Sequence, residues 1–328
     1  MVVTFDAARP PMRAATVVAP GRVEIVQAPR PRPGAGEVCF RVEGCGVCAS
    51  NLGPWSGPAW QTFPMEPGAP GHEAWGMVEE VGPDVADLKP GDRIAALSHH
   101  GFAEFDVAVA EHALLLPPAY ADRPFPGEAF ACAVNIFRRS GIAAGETVAI
   151  VGIGFLGAIL VRLADTAGAR VIAISRRAAS LDLAREMGAD ETVAMDDHGR
   201  IVDAVRGLTG GHGCAVAIEA VGKQWPLDLA AELVAERGRL VIAGYHQDGP
   251  RQVNMQAWNW KGLDVINAHE RDPQVYMAGM RAALAAAESG DLDPLRLVTH
   301  SYPLERLGDA LDATRDKPAG FVKAVVTP

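Results

Sequence analysis

Three glycines stand where an apolar segment gives way to a helical pattern, a junction at which backbone N–H groups bind phosphate. The segment Thr147–Val151 leads directly into Gly152-Ile153-Gly154-Phe155-Leu156-Gly157, and apolar residues then recur at helical spacing through residue 167. In such a loop the first glycine permits a tight turn, the second lets the backbone approach a pyrophosphate, and the third lets the helix pack on the strand. A helix N-terminus adds free N–H groups and a positive dipole end. The expected contacts of a dinucleotide are therefore Gly152, Gly154, Phe155, Leu156 and Gly157.

The end of the next strand indicates which dinucleotide is preferred. An acidic residue at this place would bind the adenosine ribose 2′-hydroxyl. This chain instead has Ser175-Arg176-Arg177, with no carboxylate. Two guanidinium groups can pair with a 2′-phosphate through charge-assisted hydrogen bonds, so we expect NADP. The alternative is that both arginines are solvated at a helix start and NAD is accepted.

Three further segments carry side chains able to ligate a metal or move a proton. They are Gly46-Val47-Cys48-Ala49-Ser50-Asn51, then Gly71-His72-Glu73, then Gly127-Glu128-Ala129-Phe130-Ala131-Cys132. With these motifs in this order, the chain resembles the zinc-dependent medium-chain dehydrogenase/reductase family, and within it the sorbitol- and polyol-dehydrogenase-like branch. The resemblance covers essentially the whole chain, including Lys89-Pro90-Gly91-Asp92-Arg93 and Glu219-Ala220-Val221-Gly222. It implies that Val221 contacts the cofactor.

The resemblance also implies a catalytic zinc. Such a site takes three protein ligands and leaves a fourth position for water or substrate. Cys48 and His72 match ligands of the family, and Glu128 stands where polyol dehydrogenases carry a glutamate. Glu73 matches a glutamate close to the metal and is the alternative third ligand if Glu128 binds through water. The zinc would act as a Lewis acid while hydride passes to the nicotinamide.

Two positions depart from the family pattern at the proton-transfer step. Ser50 matches the hydroxyl that takes the proton of the alcohol. Asn51 replaces an aspartate that orients the histidine ligand, and its amide oxygen could still accept that bond without the charge. Gly53 stands where many relatives carry a histidine that passes the proton to solvent, so His99, His100 or water would have to replace it.

A third departure is the absence of a four-cysteine lobe after residue 93, where many relatives bind a structural zinc. Residues 93–100 pass directly to Gly101-Phe102, so we expect one zinc per subunit. Of the five cysteines, Cys39, Cys45, Cys132 and Cys214 read as small hydrophobic residues in the packing.

Polar and aromatic residues in two segments are the expected substrate contacts. They are Trp55 and Trp60 after the first ligand loop, with Asn267 and His269 after the last strand of the nucleotide-binding sheet. The polar pair favours a polyol, sugar or cyclitol over a plain aliphatic alcohol. In relatives that last strand, near residues 262–266, often pairs across a two-fold axis, so we expect a homodimer or homotetramer.

The elements that position these residues follow two patterns. Up to about residue 125 short β-branched strands alternate with Pro/Gly turns, and from residue 147 strands alternate with helices. The prediction is an α/β fold in which a doubly wound six-stranded parallel sheet is inserted into a mostly β, GroES-like catalytic domain. Its boundaries are residues 1–128 and 270–328 for the catalytic domain and 129–269 for the nucleotide-binding domain. One helix is expected over 226–236.

Composition narrows the class of function. The chain has 328 residues and a net charge of −10, which argues against nucleic acid or an anionic membrane as partner. The longest apolar stretch, residues 148–161, is too short to cross a bilayer, and no secretory signal is visible, so a cytoplasmic location is expected.

We therefore expect a zinc-dependent enzyme that transfers hydride between the nicotinamide of NAD(P) and a small secondary alcohol/ketone pair. The alternatives are a simple alcohol or aldehyde dehydrogenase, a metal-free NADPH reductase, and a catalytically silent nucleotide-binding protein.

Overall fold

A computed structural model describes residues 4, 5 and 9–328, so six residues of the predicted catalytic domain, 1–3 and 6–8, lie outside the described residues. The chain divides into two compact units. We call them the split unit (Met1–Ala131, Asp272–Ala287 and Asp293–Pro328) and the inserted unit (Cys132–Arg271 and Glu288–Leu292). The domain boundaries expected from sequence stay a prediction.

The first part of the split unit consists mainly of short strands, because β-branched segments alternate with turn-forming Pro and Gly. Short 3₁₀ helices occur at Ala49–Asn51, Ala110–His112 and Pro118–Tyr120. The strands are β1 Thr4–Phe5, β2 Met12–Ala19, β3 Arg22–Ala28, β4 Pro31–Arg32, β5 Glu37–Gly46, β6 Ala74–Val81, β7 Arg93–Ala96, β8 Phe105–Val109 and β9 Ala113–Leu115; the helices are α1 Leu52–Ser56 and α2 Gly127–Ser140.

The inserted unit alternates strands and helices. Its strands are β10 Thr147–Val151, β11 Arg170–Ser175, β12 Glu191–Ala194, β13 Cys214–Glu219, β14 Val234–Ile242 and β15 Asp264–Asn267. Its helices are α3 Phe155–Thr166, α4 Ala178–Glu186, α5 His198–Leu208, α6 Gln224–Leu233 and α7 Met255–Lys261.

The six strands form one sheet in the order β12-β11-β10-β13-β14-β15, and every neighbouring pair is parallel. This is the strand order typical of dinucleotide-binding sheets. Apolar side chains such as Ile172, Ile174 and Leu229 are fully buried in its core. The predicted α/β class with an inserted six-stranded parallel sheet is confirmed.

The last part of the chain contains α8 Pro273–Glu288, α9 Pro294–Leu297, β16 Val298–Pro303, a 3₁₀ helix Leu304–Arg306, α10 Leu307–Asp316 and β17 Lys323–Thr327. Strand β17 pairs antiparallel with β5, matching Val325 with Gly46. The resulting seven-stranded sheet has the order β16-β17-β5-β6-β7-β9, with β8 also paired to β5. This pairing places the end of the chain beside the residues that follow β5.

Two element boundaries differ from those expected. The helix expected over 226–236 is α6, which ends at Leu233, because the buried Val234 already pairs with Cys214 as the start of β14. The last strand of the sheet begins at Asp264, since Gly262 has φ 60° and ends helix α7. Within the described residues, the helices are too short or too polar to span a lipid bilayer.

Candidate metal and nucleotide sites

Two strand ends of the split unit bring Cys48, His72 and Glu73 together. Cys48 follows β5, and His72 and Glu73 immediately precede β6, the antiparallel neighbour of β5. The Gly46 N–H donates to the Glu73 carbonyl at 3.1 Å, which fixes the two segments to each other. One ligand atom from each of the three side chains lies within 4.8 Å of the other two. Sheet pairing therefore assembles a thiol, an imidazole and a carboxylate at one place.

The orientation of His72 leaves its Nε2 available to a metal. Its Nδ1 lies 2.9 Å from the Pro70 carbonyl oxygen, an acceptor only, so Nδ1 carries the proton and donates. Nε2 lies on the other side of the ring, 3.5 Å from Ser50 Oγ. The backbone thus fixes the tautomer that a metal-binding histidine requires.

Asn51 does not accept the histidine bond that we expected of it. Its Oδ1 accepts the Cys48 N–H at 2.9 Å, and its Nδ2 donates to the Pro70 carbonyl at 3.0 Å. The atom that faces His72 Nδ1, at 3.5 Å, is therefore the amide nitrogen. Because two donors cannot bond each other, the Pro70 carbonyl takes the orienting role and Asn51 holds the Cys48 loop.

A buried cation lies beside Glu73. The Lys323 Nζ is 2.7 Å from Glu73 Oε1 and 2.5 Å from Oε2, and the two side chains are 6% and 1% exposed. Only the Oε1 contact has hydrogen-bond geometry, so Oε2 is buried with a charge contact but no hydrogen bond. A Cβ at Gly46 would lie 1.8 Å from that same oxygen, so only glycine fits there.

Glu128 lies in the first turn of α2 and is outside the group formed by Cys48, His72 and Glu73 among the described residues. Burial raises the pKa of its carboxyl above the ordinary value, against the opposing effects of His72 and Lys323, and Tyr276 hydrogen-bonds to it. Of the two glutamates considered as third ligand, Glu73 is the one beside the thiol and the imidazole.

The charges of this cluster act strongly on one another. Burial alone would lower the pKa of His72, but Cys48, Glu128 and Glu73 raise it to about 10. Burial alone would also lower the pKa of Lys323, and Glu73, followed by Cys48 and Glu128, raises it above the ordinary value. The cluster is therefore an anionic site that attracts cationic charge.

The donor set fits zinc. Thiolate, imidazole and carboxylate are the ligand types of catalytic zinc sites with an open position. The available His72 Nε2 and the Glu73 oxygen without a hydrogen bond are both atoms that a metal would satisfy. The described residues contain no other group of three such side chains, and Cys39, Cys45 and Cys214 are buried singly.

The three positions considered for the release of the proton, Gly53, His99 and His100, have different surroundings. Gly53 lies in α1 and supplies no side chain. His100 Nε2 lies 2.9 Å from Glu66 Oε2, and the His100 N–H donates to Asp106 Oδ2 at 3.0 Å. Partial burial of the His99 ring and the charge of His72 lower the pKa of His99. The charge of His72 therefore acts on the His99 ring.

The four expected substrate residues have different surroundings. Trp55 is 5% exposed in the split-unit core, where its Nε1 donates to Asp312 Oδ1 at 3.0 Å. Trp60 is 66% exposed. His269 Nε2 lies 3.2 Å from the Gly244 carbonyl, and Asn267 Oδ1 accepts the His269 N–H at 3.3 Å.

The glycine loop of the inserted unit has the expected form. Gly152 has φ 102°, which disfavours any side chain, and a Cβ at Gly157 would lie 2.0 Å from the Gly152 carbonyl oxygen. Gly154 is the N-cap of α3, and Phe155 and Leu156 open that helix. Val221 lies against the loop, since a Cβ at Gly152 would meet its Cγ2 at 2.4 Å.

The residues expected to select the cofactor follow β11. Ser175 is buried as its last residue, Arg176 is exposed, and Arg177 is the N-cap of α4. Partial burial and the neighbouring Arg176 lower the pKa of Arg177. Two adjacent cations at a helix start form a locally electropositive surface.

Sequence reasoning did not identify Lys323 as a residue of the metal cluster. It lies in β17, and its neighbour Glu73 is 250 positions away. A lysine interrupting a run of buried apolar residues was the available signal, because a lysine is almost never fully buried without a partner.

Known proteins resemble both units. A family model described as zinc-binding dehydrogenase matches residues 156–285, and the alcohol dehydrogenase GroES-like domain matches residues 34–113. An alcohol dehydrogenase of Geobacillus stearothermophilus is 31% identical over 259 residues, 68% of this chain and 74% of that protein. A sorbitol dehydrogenase of Halalkalibacterium halodurans is 25% identical over 341 residues, 94% of this chain and 96% of the relative.

A solved structure from Sinorhizobium meliloti, described as a zinc-binding dehydrogenase bound to NADP, superposes with a TM-score of 0.84 and 27% identity over 98% of this chain and 100% of that one. The matches extend over the metal cluster, the inserted sheet and the closing elements. This chain belongs to the zinc-type medium-chain dehydrogenase/reductase family, whose members include alcohol dehydrogenases.

Proposed function

We propose that the protein is a zinc-dependent oxidoreductase that transfers hydride between the nicotinamide of NADP and a secondary alcohol/ketone pair. The observation that carries the proposal is the convergence of Cys48, His72 and Glu73 within 4.8 Å in a family of dehydrogenases. The glycine loop after β10 supports the dinucleotide half of the reaction.

Cys48 Sγ, His72 Nε2 and a Glu73 oxygen would hold the zinc, with Glu128 as a nearby carboxylate rather than the third ligand. This assignment takes the alternative that the sequence left open, because Glu73 belongs to the cluster. When bound, the zinc would supply Lewis acidity that lowers the pKa of the substrate hydroxyl.

The protein's own groups provide the proton path and the orientation. Ser50 Oγ, 3.5 Å from His72 Nε2, is placed to accept the hydroxyl proton of a substrate bound beside that nitrogen. His99, whose pKa is lowered by burial and by the charge of His72, is our candidate to pass the proton to solvent. Pro70 keeps His72 in one tautomer throughout.

A polyol, sugar or cyclitol is the proposed substrate class. Supporting this class are the polar residues Asn267 and His269 and the similarity to a sorbitol dehydrogenase. The second candidate is a simple aliphatic or aromatic alcohol, which the similarity to an alcohol dehydrogenase favours.

A preference for NADP is proposed from the positive charges that follow β11. Arg176 and Arg177 adjoin each other at the start of α4, where a 2′-phosphate would relieve their mutual repulsion. NAD is the alternative. The similar Sinorhizobium meliloti structure holds NADP.

A homodimer or homotetramer is proposed because β15 is an edge strand of its sheet with Val265 41% exposed, and Trp260, in the preceding helix α7, is 86% exposed. The cytoplasmic location stays a prediction.

The test is a steady-state screen of zinc-assayed protein against polyols, sugars, cyclitols and simple alcohols, each with NADP and with NAD. We expect turnover of a hydroxyl-rich secondary alcohol with the higher kcat/KM for NADP. A higher kcat/KM for NAD would contradict the cofactor assignment. Absence of nicotinamide turnover in both directions would favour the catalytically silent alternative.

A further inference from the structure

Glu219, the last residue of β13, is completely buried in the inserted unit and joins two loops at the carboxyl edge of the sheet. Its Oε1 accepts the N–H groups of Val221 and Gly222, both at 2.7 Å. Its backbone carbonyl accepts the N–H groups of Ala243 and Gly244, both at 2.8 Å, after β14. One residue thus fixes the ends of two neighbouring strands.

The second carboxylate oxygen is held by His246. The His246 Nε2 lies 2.9 Å from Glu219 Oε2, and its Nδ1 lies 2.7 Å from the Nε of Arg251. Arginine can only donate, so Nδ1 must be the acceptor and Nε2 must carry the proton. His246 is therefore held as the neutral Nε2–H tautomer between a carboxylate and a guanidinium.

Arg251 completes the hydrogen-bond network by bonding to Gly222, which also bonds to Glu219. Its Nη2 donates to the Gly222 carbonyl at 2.9 Å, while Gly222 N–H donates to Glu219. The other charged groups at this ring are Asp248, which pairs with Arg251, and Lys223, which pairs with Asp248. Loop 220–222 is thereby enclosed by a ring of hydrogen bonds through Glu219, His246 and Arg251, which we call the loop clamp.

The loop clamp acts on the nucleotide loop through Val221. This residue is 39% exposed and lies against Gly152, so its position decides how much space remains above the glycine loop. The fit inside the clamp is close, since a Cβ at Gly244 would lie 2.2 Å from the Gly222 nitrogen and 2.6 Å from Glu219 Oε2. A change in the clamp would therefore shift Val221.

We propose that His246 and Arg251 are positioning residues for cofactor binding, which hold Val221 and the backbone of loop 220–222 in the conformation that accepts the dinucleotide. They act through Glu219. The inference rests on the proposed dinucleotide function and adds to it two residues outside the glycine loop that determine cofactor affinity.

The test compares three variants with wild type. His246→Leu removes both hydrogen bonds, Arg251→Met removes the cation, and His246→Gln keeps one donor and one acceptor in the same side chain. His198→Leu is the matched control, because His198 also bonds through both ring nitrogens, to Trp225 Nε1 and Glu232 Oε2, elsewhere in the same unit. The measurements are the Kd of NADPH by calorimetry, KM for cofactor, kcat at saturating cofactor, zinc content and thermal unfolding.

We expect His246→Leu and Arg251→Met to raise the Kd and KM for the cofactor about tenfold, because the cofactor would then have to order loop 220–222 as it binds. We expect kcat at saturation to stay within about twofold, and His246→Gln to restore most of the affinity. His198→Leu should keep the wild-type Kd even if it lowers the unfolding temperature.

Wild-type Kd in a folded His246→Leu protein would overturn the proposal, as would equal weakening by His198→Leu. If His246→Leu does not fold, Arg251→Met carries the same test. A wild-type protein that binds no dinucleotide would instead refute the proposed function itself.

Discussion

The metal cluster and the nucleotide loop are built in opposite ways. The cluster uses side chains, with the half-buried Cys48 and His72 and the buried Glu73 and Lys323 brought together from three places in the chain. The nucleotide loop uses backbone and the absence of side chains, within one contiguous hexamer. The metal cluster should therefore be disrupted by substitutions that remove a charged side chain. The nucleotide loop should be disrupted by substitutions that add atoms to a glycine.

The largest difference is expected from removing a ligand of the cluster. Cys48→Ser or His72→Ala should lower turnover by at least about 1,000-fold, because the zinc site loses one of its three protein ligands. The Kd of NADPH should change by less than about threefold, since the glycine loop is a separate structure. Kinetics, calorimetry and zinc analysis on the same preparations check this. Wild-type turnover by a zinc-free variant would contradict the assignment of catalysis to the metal cluster.

Removing the buried cation should be costly to folding. Lys323→Met leaves the Glu73 carboxylate buried without its partner, which should lower the free energy of unfolding of chelator-treated protein by about 3 kcal/mol. The control is Lys89→Met, because Lys89 is 79% exposed in its pair with Asp92 and should contribute less than about 1 kcal/mol. Urea denaturation measures both. Equal losses would show that burial of the Lys323 pair adds nothing.

The corresponding test of the nucleotide loop adds one methyl group to it. In Gly157→Ala the new Cβ would lie 2.0 Å from a backbone oxygen of Gly152. Overpacking of this kind costs about 1–3 kcal/mol, so the Kd of NADPH should rise roughly tenfold to 100-fold. Zinc content should stay at the wild-type level. Loss of zinc together with cofactor affinity would show that the two sites are not independent.

The smallest expected effect is the difference in zinc affinity between variants of Glu73 and Glu128. Glu73→Gln should weaken zinc binding more than Glu128→Gln, with the latter costing about tenfold as for a residue outside the ligand set. Competition with a chromophoric chelator gives both zinc affinities. The reverse order would restore Glu128 as the third ligand.

The same contrast explains how far the sequence could be interpreted. The inserted sheet, its glycine loop and the alternation of strands and helices follow from contiguous patterns, so they were predictable. The ligand motifs of Cys48 and His72 were recognised through a family resemblance.

The remaining features depend on side-chain and loop geometry that sequence patterns do not specify. Lys323 reaches Glu73 only because β17 pairs with β5, and the Pro70 carbonyl rather than Asn51 orients His72. Trp55 looked available to substrate but is buried against Asp312. The lysine within an apolar run signals a partner but not which one, and the choice between Pro70 and Asn51 depends on the geometry of the loop before His72.

The central claim is that turnover requires one zinc ion held by the Cys48, His72 and Glu73 cluster. The direct measurement is stepwise addition of zinc to chelator-treated protein, with nicotinamide absorbance following turnover on the best substrate of the screen. We predict almost no activity before addition and a linear rise that ends at one equivalent per chain. Full turnover in the zinc-free protein, or a rise that continues to two tightly held equivalents, would contradict the account.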